Sequence, residues 1–326
     1  MHGYLLVRPR KDTDKRRMDT DVVFLGDGLE KVDGVKMDFL KNVGKYISKN
    51  QVLELFSEFT YAEVNYIRLK NKDLRLKITL KKDPVDYLRM IKESEEISNV
   101  KKSMQIVEGV FKLVRKEIKK PGMTEVKLAK FIESSGLKMG ANDLSFPAIV
   151  ASGANAAVPH HVPSIKRLKA GESIILDFGF KYKDYCSDFT RTVFLKSAPK
   201  KLTEAYNQVE KAYNESISFI MGEKGKKGMM GGEVYQKSVD VLKEKHLEKY
   251  FIHSLGHGTG LEIHELPNLS PGSKDVMKDN MVFSIEPGVY IPKLGGIRIE
   301  DLVYLEGGKV KKFINVSTKL EDNILK

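Results

Sequence analysis

Apolar residues recur at helical spacing through much of the chain. The longest such pattern begins after "KKDP" and runs to "KKPG", with apolar residues at steps of three to six. Pro84 disfavours helix in the residue before it, and Pro121 with Gly122 ends the pattern. Shorter patterns of the same kind predict further helices over about 124–138, 203–220 and 232–250.

Two β-hairpins are predicted from apolar runs that carry acidic residues. The first joins "SIILDFGF" to "YCSDFTRTVFL" through "KYKD", and the second joins "MVFSIEPGVYI" to "GGIRIEDLVYL". Nearer the N-terminus, "DVVFLG" and "LRLKITL" are strand-like, and "VKMDFLKNVGKYI" has helical spacing. These patterns predict a short N-terminal α/β domain over residues 1–85, followed over residues 86–326 by a larger domain of helices and hairpins. The Gly- and Lys-rich segment 222–232 is interpreted as a mobile connector.

The acidic residues of the two hairpins are predicted to form opposed pairs. A turn within "KYKD" places Asp177 opposite Asp188, and the second hairpin places Glu286 opposite Glu300, with Arg298 on the same strand face as Glu300. Opposed residues have Cβ atoms about 4.5 to 5.5 Å apart, and like charges at that distance destabilise a sheet. A single acid of this kind is usually a surface residue. Two opposed pairs in apolar strands favour a bound cation.

Three of the seven histidines lie in "HSLGHGTGLEIHE", residues 253–265. His253 and His257 have helical spacing, but the three glycines argue against a helix and favour an extended stretch or a tight loop. In an extended stretch His264 lies on the opposite face, unless a glycine bulge resets the alternation. With "PHH" at 159–161, these histidines indicate a site. Four carboxylates and a histidine suit Mn, Co, Fe or Zn.

Composition limits the classes of protein that need to be considered. The net charge is +12, but the basic residues are spread along the chain and interleaved with acids, which favours a Lys-rich solvated surface over a nucleic-acid partner. The single cysteine, Cys186, excludes an internal disulfide and is interpreted as a packing residue. Neither a targeting signal nor an apolar run of membrane-spanning length is found, so no membrane partner and a cytoplasmic location are expected.

With these hairpins and histidines, the sequence resembles the pita-bread metallopeptidases, the family that includes Xaa-Pro dipeptidase (prolidase), aminopeptidase P and methionine aminopeptidase. The resemblance covers roughly residues 88 to 310 and implies an α+β pita-bread catalytic domain, a curved antiparallel sheet flanked by helices. It implies two divalent metal ions per chain, with Asp188 and Glu300 bridging them. The stretches that carry it are "SGANAAVPHHVPS", "ILDFGFKYKDYCSDFTRTVF", "HSLGHGTGLEIHE", "FSIEPGVYIP" and "GGIRIEDLV". The implied metal ligands are Asp177, Asp188, His257, Glu286 and Glu300.

The resemblance also implies a mechanism. The two ions would share a water and lower its pKa, which gives a hydroxide that attacks the peptide carbonyl. Glu286 would move the proton, and His160 and His264 would polarise the carbonyl or stabilise the oxyanion. His161 receives no role beyond that of a neighbour. The residues expected to contact substrate or to support the carboxylates are His253, Tyr290 and Arg298.

An exopeptidase that hydrolyses Xaa-Pro bonds in short peptides is therefore the leading hypothesis. An N-terminal domain before the catalytic domain favours the proline-specific branch over methionine aminopeptidase, but dipeptidase and aminopeptidase P activity both remain open. A homodimer is expected, although the N-terminal domain is shorter than is usual in the family. A non-catalytic pita-bread scaffold is a weaker alternative, because such proteins usually lose metal ligands and none is missing here.

Overall fold

A computed structural model describes residues 5–8, 22–23, 52–56, 61–75, 77–81, 84–222 and 228–326. The chain divides into two compact units, Met1–Tyr87 and Leu88–Lys326. The helix predicted over "VKMDFLKNVGKYI" lies outside the described residues, as do residues 223–227 of the predicted connector.

The first unit contains a four-stranded sheet in the order β2-β1-β3-β4. Strand β1 is antiparallel to β2 and β3, whereas β3 and β4 are parallel. Parallel strands need a crossover connection, and helix α1 provides it by burying Val64 and Ile67. The elements are β1 (Leu5–Arg8), β2 (Val22–Val23), β3 (Val52–Phe56), α1 (Tyr61–Lys70) and β4 (Lys77–Lys81).

The long helical pattern beyond Pro84 forms two helices, because the chain bends at residues 91–93. Glu93 is the N-cap of the second helix, and its backbone N–H donates to the Glu96 carboxylate in a capping box. No helix among the described residues is long and apolar enough to cross a membrane. The helices are α2 (Pro84–Met90), α3 (Ser94–Glu117), α4 (Glu125–Lys138), α5 (Lys200–Met221), α6 (Gly231–Lys243) and α7 (Leu320–Asn323).

A nine-stranded sheet forms the centre of the second unit, with the main order β12-β11-β13-β16-β10-β7-β6. Strand β17 pairs with β16, and β18 pairs with β10 in the sheet's one parallel contact among the described strands. Smaller sheets are β5-β8-β9 and β14-β15. The strands are β5 (Asp143–Leu144), β6 (Ile149–Ser152), β7 (Ser173–Asp177), β8 (Phe180–Tyr182), β9 (Tyr185–Cys186), β10 (Phe189–Leu195), β11 (Gly256–Gly258), β12 (Glu265–Leu269), β13 (Val282–Ile285), β14 (Gly288–Ile291), β15 (Gly295–Arg298), β16 (Glu300–Glu306), β17 (Lys309–Lys312) and β18 (Ile324–Leu325).

Two hydrophobic clusters hold the helices on this sheet. Helices α3 and α4 pack in one cluster, and α5 and α6 pack in the other. Strand alternation assigns the residues of β7 to opposite faces: Ile174 and Leu176 join the α3–α4 cluster, while Ile175 packs with Tyr290 in a third cluster. Asp177 has the parity of Ile175 and therefore points away from α3 and α4.

The first hairpin differs in register from the prediction. Its turn consists of Lys183 and Asp184, both in the left-handed region with φ of 47° and 67°. This turn lies one residue later than predicted, so Asp177 is opposite Thr190 and the predicted opposition to Asp188 is wrong. A two-residue turn with both φ values positive matches the twist of hairpin strands, which explains its position.

The second hairpin has the predicted register. Gly288 pairs with Arg298, and in the neighbouring ladder Ile285 pairs with Asp301. Continuing that ladder by one residue places Glu286 level with Glu300, as the sequence predicts.

Candidate metal centre

Four carboxylates converge because four neighbouring strands begin or end at one place in the large sheet. Asp177 ends β7, Asp188 precedes β10, Glu300 begins β16 and Glu286 follows β13. These strands lie side by side in the order β13-β16-β10-β7. The sheet topology therefore gathers two pairs of acids, of which the most distant, Asp177 and Glu300, are more than a hundred residues apart in sequence.

Thr190 lies at the centre of this arrangement. It pairs with Asp177 on one side of β10 and with Glu300 on the other. Its hydroxyl donates to Glu300 Oε2 at 2.6 Å and accepts from Arg298 Nε at 3.2 Å. The sequence did not predict this role, because threonine is common in β-strands and a single threonine in an apolar strand does not stand out.

The Nε2 atom of His257 faces the carboxylates. Its Nδ1 lies 3.0 Å from the Gly258 carbonyl, which can only accept, so Nδ1 carries the proton and the neutral ring has its lone pair on Nε2. That Nε2 is 3.6 Å from Asp188 Oδ2 and 3.4 Å from Glu286 Oε1. Ligand atoms of Asp188, His257 and Glu300 all lie within 4.8 Å of one another.

The electrostatics of these carboxylates are unfavourable without a cation. Burial, followed by repulsion among the acids, raises the pKa of Asp188 and of Glu300 well above the usual range. Burial raises the pKa of Glu286 to about 7. Asp177 Oδ1 is buried without a hydrogen-bond partner. Buried like charges, an orphaned oxygen and an imidazole lone pair fit a divalent ion, which favours the ionised carboxylates.

Arg298, Tyr290 and His253 form a hydrogen-bonded chain beside the carboxylates. Arg298 donates to Asp177 Oδ2 through Nη2 and to the Tyr290 hydroxyl through Nη1 at 2.6 Å. His253 donates from Nδ1 to the Ser254 carbonyl at 2.7 Å, so its Nε2 accepts from the Tyr290 hydroxyl at 2.9 Å. Burial and the nearby Arg298 lower the pKa of His253 to about 3. The neutral His253 ring thus orients Tyr290, which in turn orients Arg298.

Two of the three histidines of residues 253–265, His257 and His264, are brought together where the chain reverses direction between β11 and the antiparallel β12. The pairing of β11 with β12 shifts register between His257 and Gly258. The His257 and His264 rings meet edge to face, with centroids 4.4 Å apart. Gly258 is required here, because an added Cβ would collide with the Leu266 carbonyl oxygen. Residues 259–264 form the loop that joins β11 to β12, so the tight-loop alternative that the sequence left open accounts for the position of His264.

These residues line a cavity of about 560 Å³. The predicted site residues on its wall include His160 and His264, both exposed. Tyr290 is not part of the wall but contacts the lining residues His253 and Arg298. Loss of hydration and the neighbouring His257 lower the pKa of His264 to about 4, so its ring is neutral at pH 7. Apolar residues complete the cavity: Phe146, Pro147, Ile149, Val162, Pro163 and Ile263.

Several supporting residues were not found from the sequence. Ser284 donates to Glu286 Oε1 at 3.1 Å. The fully buried Arg191 donates to the Glu300 carbonyl at 2.7 Å and to Asp301 Oδ1 at 2.7 Å. An arginine within the apolar run "FTRTVFL" is a sequence signal that could have indicated this buried pair. Cys186 is buried, which raises its pKa to about 11 and fits the packing role expected for it.

Comparison with known proteins agrees with this geometry. Residues 98–306 match the metallopeptidase family M24. The chain is 34% identical over 290 residues to the Xaa-Pro dipeptidase of Pyrococcus furiosus, covering 89% of this chain and 81% of that protein. It is 40% identical over 227 residues to an uncharacterized peptidase of Bacillus subtilis, covering 69% of this chain and 63% of the relative, less than two thirds of its length.

The fold is also similar to solved structures. The prolidase from Pyrococcus furiosus matches with a TM-score of 0.73 and 32% identity, over 87% of this chain and 81% of that one. The predicted fold and enzyme class, a pita-bread metallopeptidase, are therefore confirmed. The chain belongs to metallopeptidase family M24.

Proposed function

We propose that this protein is a metal-dependent exopeptidase that hydrolyses Xaa-Pro bonds in short peptides, with dipeptides as its substrates. One observation carries the proposal: four carboxylates and the lone pair of His257 converge, buried, on the wall of a cavity of about 560 Å³. Similarity to an Xaa-Pro dipeptidase over most of both chains supports the substrate class.

Two divalent ions are proposed for the site. Four carboxylates would carry four negative charges, which two divalent ions would neutralise. Mn, Co, Fe and Zn all accept such oxygen-rich ligand sets with one imidazole. When bound, the ions would act as Lewis acids and lower the pKa of a water to near 7. The proposed ligands are Asp177, Asp188, His257, Glu286 and Glu300, with Asp188 and Glu300 shared between the ions.

The other residues of the cavity are proposed to move protons and bind the peptide. Glu286 is proposed to take up and release the proton, and the Ser284 hydroxyl orients its carboxylate. His160 and His264 stand on the cavity wall as donors for the carbonyl oxygen, whose developing charge each such donor stabilises by about 3 to 4 kcal/mol. The Arg298 donors are used within the protein, so its proposed role is to hold Asp177.

A substrate panel tests this function and separates the branches of the family. Metal-stripped protein is assayed with Mn²⁺, Co²⁺ or Zn²⁺ restored, against Xaa-Pro dipeptides, longer Xaa-Pro peptides and Met-initiated peptides. The proposal expects cleavage of the dipeptides. Preference for the longer Xaa-Pro peptides would indicate an aminopeptidase P. Cleavage only after Met would indicate a methionine aminopeptidase. No cleavage of any peptide would favour a non-catalytic binding scaffold.

A homodimer, which the resemblance found in the sequence supports, and a cytoplasmic location, which the single cysteine supports, are also proposed. Light scattering on the purified chain gives the oligomeric state, with twice the mass of one 36.9 kDa chain expected. A monomer that cleaves dipeptides would contradict the homodimer alone.

A further inference from the structure

Glu125, the first residue of α4, is a fully buried carboxylate with an unusually complete set of donors. Oε1 accepts from the Ser152 N–H at 2.8 Å, the Ser152 hydroxyl at 2.7 Å and Asn155 Nδ2 at 3.1 Å. Oε2 accepts from His161 Nε2 at 2.9 Å, the Ser164 N–H at 3.1 Å and the Ser164 hydroxyl at 2.7 Å. Asn155 Nδ2 also reaches Oε2, at 3.1 Å.

All four partner residues belong to one segment, residues 152–164, which leaves the large sheet at the end of β6. One oxygen of Glu125 holds the start of this segment and the other holds its end. The first turn of α4 adds two backbone bonds to the same stretch, from the Glu125 N–H to the Lys166 carbonyl and from the Val126 N–H to the Ser164 carbonyl. A single carboxylate therefore closes a loop of more than ten residues.

His160 lies inside this closed loop. Both His160 and its neighbour His161 line the cavity that the carboxylates face, but Nε2 of the half-buried His161 is bound to Glu125 Oε2, whereas His160 is exposed. Arg298 Nη1 approaches the Pro159 carbonyl at 3.5 Å and so links the loop to the residues around the acid cluster. Because Glu125 holds His161, His160 is the exposed one of the two adjacent histidines.

The hydrogen bonds to Glu125 are strong enough to fix the loop. Burial raises the pKa of Glu125, but the bonds from Ser164, Ser152 and His161 outweigh it and hold the pKa at about 2. The carboxylate is therefore charged at neutral pH. Hydrogen bonds to a charged acceptor are about twice as strong as those between neutral groups.

We propose that Glu125 is a positioning residue for His160: it fixes the 152–164 loop so that the His160 ring faces the cavity that the acid cluster lines. This inference rests on the proposed function, in which His160 contacts the peptide. Displacement of a group by about 1 Å is enough to cost about 100-fold in rate. Glu125 does not itself touch the cavity, so it acts only through the loop.

Glu125→Gln tests the proposal, because the amide keeps the shape but loses the charge and turns one acceptor into a donor. The kcat/KM for an Xaa-Pro dipeptide should fall about 10- to 100-fold. Mn²⁺ affinity, measured by calorimetry, should be unchanged, since Glu125 contacts none of the converging carboxylates. In a His160→Ala background, Glu125→Gln should cost almost nothing further. An equal loss in both backgrounds, or no loss in the native background, overturns the positioning role.

Glu210→Gln is the matched control. Glu210 lies on helix α5 and accepts from the Thr318 hydroxyl at 3.0 Å, and neither residue lines the cavity or belongs to the His160 loop, so kcat/KM should stay within about twofold of wild type. If Glu125→Gln does not fold, Ser164→Ala removes one hydroxyl donor to Oε2 and should give a smaller loss that likewise disappears with His160→Ala. An equal loss with and without His160 again overturns the proposal.

Hydrogen exchange separates failure of this inference from failure of the proposed function. If the wild-type chain cleaves no peptide, the proposed function fails, and the loop is tested by the exchange of amides in residues 153–164. Glu125→Gln should speed that exchange at least tenfold while the amides of β7 and β10 stay protected. Unchanged exchange in the loop would overturn the anchoring itself.

Discussion

Glu125 and Asp188 are both buried carboxylates, but their neighbours shift their pKa values in opposite directions. Hydrogen-bond donors surround Glu125, so its charged form is favoured and its pKa falls to about 2. Burial and the neighbouring Glu300 and Asp177 raise the pKa of Asp188 well above the usual range. The charge of Glu125 is stabilised by donors within the protein, whereas the charge of Asp188 needs a bound cation. The free energy of unfolding and the Tm of variants at the two positions can distinguish these two environments.

The contribution of Glu125 to stability should depend on pH. A folded-state pKa of about 2 against an ordinary value of 4.5 stabilises the folded protein by roughly 3 kcal/mol above pH 4.5. Because the folded pKa is lowered, this stabilisation is lost as pH falls from 4.5 toward 2. Urea denaturation of wild type and Glu125→Gln should give free energies of unfolding whose difference shrinks by about 2 kcal/mol from pH 7 to pH 3. A difference that does not change with pH would contradict the lowered pKa.

Asp188→Asn should have opposite effects on the metal-free and metal-loaded proteins. The neutral amide removes a charge that is buried beside Glu300, so the Tm of the metal-free protein should rise by about 2 °C, as expected for roughly 1 kcal/mol in a chain of 326 residues. The increase in Tm that Mn²⁺ gives the wild type should disappear. Asp184→Asn, at the exposed hairpin turn where asparagine tolerates positive φ, is the control and should behave as wild type. A lower metal-free Tm for Asp188→Asn would show that the acids do not repel one another.

At the scale of elements, periodicity predicted what is local and missed what depends on tertiary contacts. The second hairpin had the predicted register because its turn is centred on Lys293, as assumed. The first hairpin was wrong by one residue in its turn, since "KYKD" allows several turns and the choice of Lys183 with Asp184 depends on backbone twist. The bend between α2 and α3 was also missed, because Lys92 at the bend fits a helical pattern and its partner is far away in sequence.

That bend is fixed by a buried ion pair between Lys92 and Glu265. The Lys92 ammonium donates to Glu265 Oε2 at 2.8 Å, and the two side chains are 1% and 5% exposed. The other oxygen of Glu265 accepts from the Glu262 N–H at 3.1 Å, in the loop that carries His264. The pair therefore connects a helix junction to one wall of the cavity.

Lys92→Met should destabilise the protein by about 3 to 5 kcal/mol, because Glu265 would be left buried and unpaired. The double variant Lys92→Met with Glu265→Gln should recover most of this loss, since no buried charge remains. Urea denaturation at pH 7 measures both. Lys112→Met is the control: its pair with Glu108 is exposed and should contribute less than about 1 kcal/mol. A double variant as unstable as Lys92→Met would refute the unpaired-charge explanation.

At the scale of the whole molecule, the sequence predicted the α+β class and the pita-bread fold, and comparison confirms both. The five residues predicted as metal ligands are brought together by strands that neighbour one another in one sheet, although their roles stay predictions. Thr190, Glu125 and Lys92 could not be identified from one sequence, because a polar residue inside an apolar strand or at a helix end acquires its function only from distant partners.

Hydrolysis of an Xaa-Pro dipeptide as a function of added metal tests the proposed function most directly. The chain is stripped with a chelator, titrated with Mn²⁺ and assayed at each step, with Asp188→Asn treated in the same way. We expect no hydrolysis from the stripped protein, a rise that levels off at about two ions per chain, and no activity from Asp188→Asn at any metal concentration. Full activity in the stripped protein, or no cleavage of Xaa-Pro dipeptides with about two ions bound, would contradict the account.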